Sequence, residues 1–125
     1  MSVVKAADAP IFDAHGATIT GAASPSRGST QTSLWRVNLG PGSEVPGHIL
    51  DHEEIFHALG GTLLATVDGE RQTVQAGDTL IVPPGAVLQI AVPADTRFEA
   101  IVAMPVGAKA RFVSGGELFS PPWAV

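Results

Sequence analysis

Most side chains in this sequence that can bind a metal ion or transfer a proton lie within one short window. Three of the four histidines and the only Glu-Glu pair fall between His48 and His57. Residues two apart in an extended strand share a face at about 6.7 Å, whereas residues four apart are about 13 Å from each other. His48 and His52 can therefore bind one ion together only if the chain turns between them or is helical. Taken singly, His15, His52 and His57 are predicted to be polar residues at strand edges.

The segment that carries these residues fits two kinds of secondary structure. Residues 46–61 read PGHILDHEEIFHALGG, which suits either a strand, a turn and a strand, or a short helix that ends at Gly60 and Gly61. In a helix, His48 and His52 would lie on the apolar side. An isolated helix of about twelve residues is marginal in length and inconsistent with the β pattern around it. We therefore predict strands, with Gly60 and Gly61 at a turn.

The rest of the chain has the pattern of an all-β domain, because fourteen Gly and ten Pro separate short apolar runs and act as turn residues. Residues 32–39 alternate in hydrophobicity with the period of a half-buried strand. Asp68-Gly69 lies between two β-prone runs, which is a strong hairpin signal. Three further runs follow, at 80–82, 87–92 and 98–104. Their spacing of about 8 to 12 residues is typical of a sandwich or barrel.

The length of the chain indicates a single domain, since 125 residues match the size of about 100 to 150 residues that one core usually holds. We divide it into residues 1–31, which wrap the domain, residues 32–113, which form a barrel, and residues 114–125, which form a tail. The tail contains Phe119 and Trp123, whose rings would be unfavourably placed in water. We therefore expect the tail to pack on the barrel, on a partner subunit or at the mouth of a pocket.

Composition argues against several partners and chemistries. The chain has no cysteine, which excludes disulfides, thiolate metal sites and thiol nucleophiles. Its formal net charge of -5 has the wrong sign for nucleic acid or an anionic membrane surface. No apolar stretch reaches the roughly 20 residues of a spanning helix, and the N-terminal residues lack the apolar run of a signal peptide. The expected compartment is the cytoplasm.

The histidine-rich window resembles the first motif of the cupin superfamily. That motif consists of Gly, five residues, His, one residue, His, three or four residues, Glu, six residues and Gly. Its fixed positions fall on Gly42, His48, Leu50, Glu54 and Gly61. Leu50 stands where the family has its second histidine.

The second cupin motif, Gly, five residues, Pro, one residue, Gly, two residues and His, is also present. Its fixed positions fall on Gly77, Pro83, Gly85 and Leu88, so a leucine again replaces the histidine. The resemblance covers roughly Leu34 to Met104. It implies an all-β double-stranded β-helix, which is a jelly-roll barrel, with the motif residues pointing into one mouth. It also implies frequent homodimers.

The resemblance has consequences for cofactors. Metal-bearing cupins hold iron, manganese, nickel, zinc or copper through three histidines and the glutamate, and their activities include dioxygenases, isomerases, decarboxylases and lyases. Other members bind sugars or store nitrogen in seeds. Here only His48 and Glu54 remain of the four ligand positions. The resemblance therefore implies either no cofactor or one divalent transition metal, held by His48, Glu54 and either His52 or water.

Two leucines in place of imidazoles convert the expected mouth into an apolar pocket with one imidazole and one carboxylate. Such a pocket suits a small, largely apolar molecule with a polar handle. The residues predicted to contact it are Leu50, Phe56, Leu88 and Trp123. Desolvation should raise the pKa of Glu54 and lower the pKa of His48. The leading hypothesis is metal-free acid–base chemistry of the isomerase, cyclase or decarboxylase type, with His48 as base and Glu54 as acid or orienting partner.

Two other hypotheses remain open. One is a metal-dependent enzyme of the dioxygenase or isomerase class, which the clustered histidines favour. The other is a non-catalytic dimeric binding or regulatory module. For His48 and Glu54 themselves, the alternative to a functional role is that they form only a buried hydrogen-bonded pair. In each case the expected partners are a small-molecule ligand and a second copy of the chain. A homodimer is expected because low charge and apolar outer strands leave surface that a monomer would not normally expose.

Overall fold

The computed structural model describes residues 1–125 and contains ten strands but no α-helix. The strands are β1 (Ile11–Ala14), β2 (Ala17–Ala23), β3 (Thr32–Leu39), β4 (Glu44–Leu50), β5 (Glu54–Val67), β6 (Glu70–Gln75), β7 (Thr79–Val82), β8 (Val87–Ala91), β9 (Phe98–Pro105) and β10 (Ala110–Phe112). Single turns of 3₁₀-helix lie at Ala6–Asp8, Pro25–Arg27 and Pro122–Ala124. None of these helical turns has the length and apolar character needed to cross a membrane. The prediction of an all-β fold is confirmed.

All ten strands belong to one antiparallel sheet that curls on itself. The order is β1-β2-β3-β9-β5-β8-β4-β10, and β6 and β7 pair with β5. Strand β5 joins the two halves of the barrel, because its first residues pair with β7 and β9 and its last residues pair with β6 and β8. This arrangement is the jelly roll that the sequence predicts.

The bend that carries β5 from one half to the other occurs at Gly60 and Gly61. Pairing with β9 shifts register between Ala58 and Gly60 and then continues. Gly61 has a φ of 76°, and a Cβ atom there would lie 1.6 Å from the carbonyl oxygen of Arg97. Only glycine fits such a contact. The expectation of a turn between strands at this pair is wrong, since both glycines lie within one continuous strand, directly after a bulge at Leu59.

The segment of residues 46–61 forms a strand, a turn and a strand, as predicted. Strand β4 ends at Leu50 and β5 begins at Glu54. In the turn between them, Oδ1 of Asp51 accepts a hydrogen bond of 2.7 Å from the backbone N–H of Lys109. The same oxygen lies 2.7 Å from Nδ1 of His52. These contacts hold the turn that returns the chain into the barrel at Glu54, shortly after His48 in the sequence.

The hydrophobic core lies between the two halves of the curled sheet. Alternate residues of β9 are buried, as expected for strands with one face inward. Strand β3 alternates in the same way, so that Trp35, Val37 and Leu39 point inward. The buried residues form one contiguous cluster. This core supports the walls of the site described next.

Candidate functional site

A cavity of about 370 Å³ opens at one end of the barrel, where β1, β4 and β10 meet the C-terminal tail. Nine of its fifteen lining residues are hydrophobic. The lining also contains four polar residues, Asp13, His15, His48 and Glu54. A larger groove of about 490 Å³, lined by β4, β5, β6 and β8, has fewer apolar residues and no histidine. The volume and lining of the smaller cavity are those of a small-molecule site.

Aromatic rings form much of the cavity wall. Five of the seven Phe and Trp residues line it, namely Phe12, Trp35, Phe112, Phe119 and Trp123. The ring centroid of Trp123 lies 6.3 Å from those of Phe12 and Trp35. Phe112 stacks on Phe119 at 5.5 Å. Aromatic faces and edges contact other π systems favourably, so this wall favours a flat or conjugated ligand.

His48 lies on β4, directly opposite Leu88 of β8 on one side and Phe112 of β10 on the other. Its Nδ1 is 2.9 Å from the carbonyl oxygen of Pro46. Because a carbonyl only accepts, Nδ1 carries the proton of the neutral ring and Nε2 carries the lone pair. Burial lowers the pKa of His48, the hydrogen bond to Pro46 opposes this effect, and the charge of His15 adds to it. Neutral His48 can therefore accept a proton through Nε2.

Glu54 is the first residue of β5 and is only 6% exposed. Burial raises the pKa of Glu54 to about 8, and neither a hydrogen bond nor a neighbouring positive charge opposes this rise. The only hydrogen bond of the His48 ring goes to Pro46, so the two residues do not form a hydrogen-bonded pair. At neutral pH the carboxyl of Glu54 is therefore mostly protonated, and it can donate a proton or a hydrogen bond.

The structure brings four of the predicted site residues to the cavity and places three elsewhere. The lining includes His48, Leu50, Glu54 and Trp123. Phe56 and Leu88 are 6% and 1% exposed and belong to the core cluster, outside the lining. His52 is exposed on the turn between β4 and β5, where it contacts Asp51.

The side chains of the cavity do not fit the metal centre that the family resemblance implies. That centre requires three imidazoles and one carboxylate, whose nitrogen and oxygen atoms coordinate the ion. Leu50 and Leu88 place apolar atoms at two of these positions, and both are buried. Nowhere in the chain do three or more His, Asp or Glu side chains come together so that they could hold a metal ion.

His15 is a cavity residue that the sequence did not reveal. His15 and Gly16 form the two-residue turn between β1 and β2, with φ values of 51° and 78°. Two positive φ values mark the tight hairpin turn for which Asn-Gly is the common sequence. The His-Gly pair is a weaker form of that signal, which would have located the turn. It would not have located the cavity, because the ring that lies beside His15, that of Phe112, comes from β10.

The C-terminal tail closes the cavity and is hydrogen-bonded to the barrel. The buried Oγ of Ser33 donates to the carbonyl oxygen of Ala124 at 2.8 Å. The guanidinium of Arg27 donates to the carbonyl oxygen of Trp123 at 3.4 Å. These bonds hold the indole of Trp123 against the rings of the cavity wall.

Replacing Trp123 by Ala should open the cavity and destabilise the fold. The ring is partly exposed, so we expect the free energy of unfolding to fall by about 2 to 3 kcal/mol, at the low end of the range for large aromatic residues. Urea unfolding followed by circular dichroism measures this change. Leu118→Ala is the control, because Leu118 is 53% exposed and lies outside the cavity. An unchanged unfolding curve for Trp123→Ala would show that the tail is incidental to the site.

The fold and the cavity define a small jelly-roll barrel with an internal cavity, and comparison with known proteins identifies its family. The sequence model of the Cupin domain family matches residues 35–104. The matched segment contains both motifs recognised in the sequence, and the chain belongs to the cupin family. No curated protein sequence gives a significant match.

Several solved structures have a similar fold. The polyketide cyclase RemF from Streptomyces resistomycificus aligns with a TM-score of 0.81 and 18% identity, over 94% of this chain and 88% of that chain. An RmlC-like cupin from Shewanella frigidimarina aligns with a TM-score of 0.71 and 19% identity, over 82% and 88%. Oxalate oxidase in complex with glycolate aligns with a TM-score of 0.69 and 24% identity, over 79% and 56%. At these identities the likeness establishes the fold, whereas function must be argued from the site.

Proposed function

We propose that this cupin binds a small, largely apolar molecule in the cavity and performs acid–base chemistry on it without a metal. One observation carries the proposal: the buried carboxyl of Glu54 has no partner in the chain and shares an apolar cavity with the free Nε2 of His48. A protonated acid and a neutral base at the same pH are the two groups that proton transfer requires.

The reaction class that suits this pair is proton transfer beside a carbonyl group. Nε2 of His48 removes a proton from the neighbouring carbon, the electron pair of that C–H bond forms a C=C bond, and Glu54 delivers its proton to the carbonyl oxygen. The product is an enol, with His48 protonated and Glu54 ionised. In a ketone with a C=C bond one carbon further from the carbonyl, the enol carries two conjugated C=C bonds. His48 then gives its proton to the far carbon and the enol oxygen returns its proton to Glu54, which leaves the C=C bond beside the carbonyl and completes an isomerisation. In a cyclisation, the enol carbon instead attacks a second carbonyl of the same molecule. The oxygen of that second carbonyl takes the proton of His48, and the enol oxygen returns its proton to Glu54.

Two further features support this class of reaction. The aromatic wall favours flat, conjugated molecules, in which a proton beside a carbonyl is comparatively acidic. Among proteins with this fold, the polyketide cyclase is by its name a ring-forming enzyme.

We also propose that two copies of the chain associate, because apolar side chains such as Ile81 and Leu59 are 58% and 41% exposed.

Hydrogen exchange in a probe ketone tests the proposal. The probe β-tetralone is an apolar bicyclic ketone with acidic C–H bonds beside its carbonyl, and NMR follows their exchange in D₂O. We expect protein treated with EDTA to accelerate the exchange, and His48→Asn or Glu54→Gln to lower that acceleration about 100-fold. His57→Asn is the control, because His57 is exposed and bonds to Thr79 outside the cavity.

The pH dependence of the same exchange is a second measurement. The rate should fall above about pH 8, as Glu54 ionises, and should fall again in acid, as His48 is protonated. Binding of β-tetralone without faster exchange would favour the non-catalytic binding module. Exchange that disappears with EDTA and returns with added zinc or manganese would contradict a metal-free reaction.

A further inference from the structure

We propose that His15 is a ligand-binding residue of the cavity, which holds an oxygen-bearing group of the ligand at the rim while Glu54 and His48 act on the buried end. This inference rests on the proposed function and adds a second polar contact to it. The ligand would then carry an oxygen at each end of an apolar, ring-bearing body.

The backbone at position 15 tolerates a histidine but does not require one. Its φ of 51° lies in the left-handed region, which favours Gly and in which Asn, Asp and His are the commonest other residues. The other non-glycine residue with positive φ is Asp68, in the turn between β5 and β6. The carboxylate of Asp68 accepts a hydrogen bond of 2.8 Å from the backbone N–H of Val87, so this side chain has a structural role. His15 makes no such bond, so its ring nitrogens are not used to hold the turn.

The ring nitrogens of His15 are free to bind a ligand. The other three histidines each use Nδ1 in a hydrogen bond within the chain, with Pro46, Asp51 and Thr79 as partners. His15 has no such partner. It is the one histidine that both lines the cavity and keeps both nitrogens available.

Phe112 places His15 on the same wall as His48. Its ring lies edge-on to the ring of His15, at a centroid distance of 5.5 Å, and edge-on to the ring of His48, at 6.5 Å. His15 is exposed and His48 is partly buried, so this wall runs from the rim inward. The contribution of His15 to lowering the pKa of His48 agrees with this placement.

The chemistry at the rim favours a neutral oxygen group. Imidazole both donates and accepts, so it can bind a hydroxyl, a carbonyl or a carboxylate. Asp13 lines the same part of the cavity and accepts a long hydrogen bond from Thr18 at 3.4 Å. Its negative charge would repel a carboxylate. The ligand class that fits is therefore a flat ring system with a hydroxyl or ketone oxygen at the outer end.

Three probes with one ring system test the role of His15. They are naphthalene, 2-naphthol and 2,6-dihydroxynaphthalene, which carry no hydroxyl, one hydroxyl, and one hydroxyl at each end. NMR chemical-shift titration gives their affinities for the full chain. We expect each hydroxyl to tighten binding to the natural protein about fivefold, the size of one hydrogen bond. In His15→Gly the gain from the second hydroxyl should disappear, and in His15→Asn it should fall, because the amide of Asn is shorter than the imidazole. The affinity for naphthalene should stay the same in both variants.

Both substituted residues suit the positive φ at position 15, so neither variant should unfold more easily than the natural protein. Asp68→Asn introduces the same residue at the equivalent position of the other turn, and it should leave all three affinities unchanged. If the second hydroxyl still tightens binding in both His15 variants, the role of His15 is wrong, whereas the proposed function is unaffected. A loss of naphthalene binding in these variants also overturns it, because His15 would then only shape the wall. If the natural protein binds none of the probes, the proposed function fails and this inference fails with it.

Discussion

The natural protein should lose stability as the pH rises from about 4.5 to about 8, and Glu54→Gln should remove that loss. The physical reason is the buried, unpartnered carboxyl of Glu54, whose pKa rises from 4.5 to about 8 on folding. Between these values the unfolded chain has released the proton and the folded chain still holds it. Because the folded state binds more protons, its stability falls with rising pH by up to about 1.4 kcal/mol per pH unit.

Across the whole window this slope amounts to a loss on the order of 5 kcal/mol, which is a large part of the stability of a small domain. Glu54→Gln keeps the shape of the side chain without the charge. The variant should therefore match or fall below the natural protein near pH 5, and exceed it by several kcal/mol near pH 9. His48 contributes in the opposite direction at lower pH, since its lowered pKa favours folding as the pH rises. Both proteins share that contribution, so the difference between them isolates Glu54.

Urea unfolding at pH 5, 7 and 9 measures this difference. Glu53→Gln is the matched control, because Glu53 is the neighbouring residue and is exposed. Its unfolding free energy should follow that of the natural protein at every pH. Parallel curves for Glu54→Gln and the natural protein would mean that Glu54 is ionised in the fold at neutral pH. Its role as a proton donor would then have no basis.

The strands were predictable because their signals are local. Strand β3 occupies Thr32–Leu39, where hydrophobicity alternates with period two. The Asp68-Gly69 turn connects β5 to β6, and Val67 pairs with Glu70 across it. The bend at Gly60 and Gly61 was missed because the contact that requires glycine at position 61 is with Arg97, which is distant in sequence.

Only part of the candidate site was predictable from the sequence. The motif residues could be found because they lie close together in sequence, whereas the other residues of the cavity wall come from distant parts of the chain. His48 and Leu50 are two apart on one strand and therefore share a face. His15 follows β1 and Phe112 ends β10, and these strands are at opposite ends of the strand order, so the two residues meet only because the sheet curls. Alternation along a strand predicts which side chains point inward, but not how deep the cavity extends. Leu88, for example, points into the barrel, but it packs in the hydrophobic core and does not line the cavity.

Replacing both Leu50 and Leu88 by His should give the barrel a metal site, because it restores the two imidazoles that this sequence lacks at the motif positions. Leu50 is two residues from His48 on β4, at about 6.7 Å on the same face. Leu88 is directly opposite His48 in the β4–β8 pair, where Cβ atoms are typically about 5 Å apart. With Glu54, the double variant would offer three imidazoles and one carboxylate, and such a set of donors can hold a divalent transition metal.

Without metal, the double variant should be less stable than the natural protein. Leu50 and Leu88 are 6% and 1% exposed, and a buried imidazole without a hydrogen-bond partner costs about 1 to 3 kcal/mol. Metal should reverse this loss, because it binds the folded state only. At a metal concentration of 100 times Kd the stabilisation is about 2.7 kcal/mol, which corresponds to a rise of several degrees in Tm.

The measurements are metal content after dialysis and Tm with and without zinc, nickel or manganese, on protein purified without an affinity tag. The double variant should retain about one equivalent of metal and the natural protein little, since a site depends on ligand number and closure. Each single variant should retain less than the double one. Leu50→His combined with Leu59→His is the control, because Leu59 is 41% exposed and does not line the cavity. Stoichiometric metal in the natural protein would contradict our interpretation of the donor set. A folded double variant that binds none of the three metals would mean that position 88 does not occupy the place of the motif histidine.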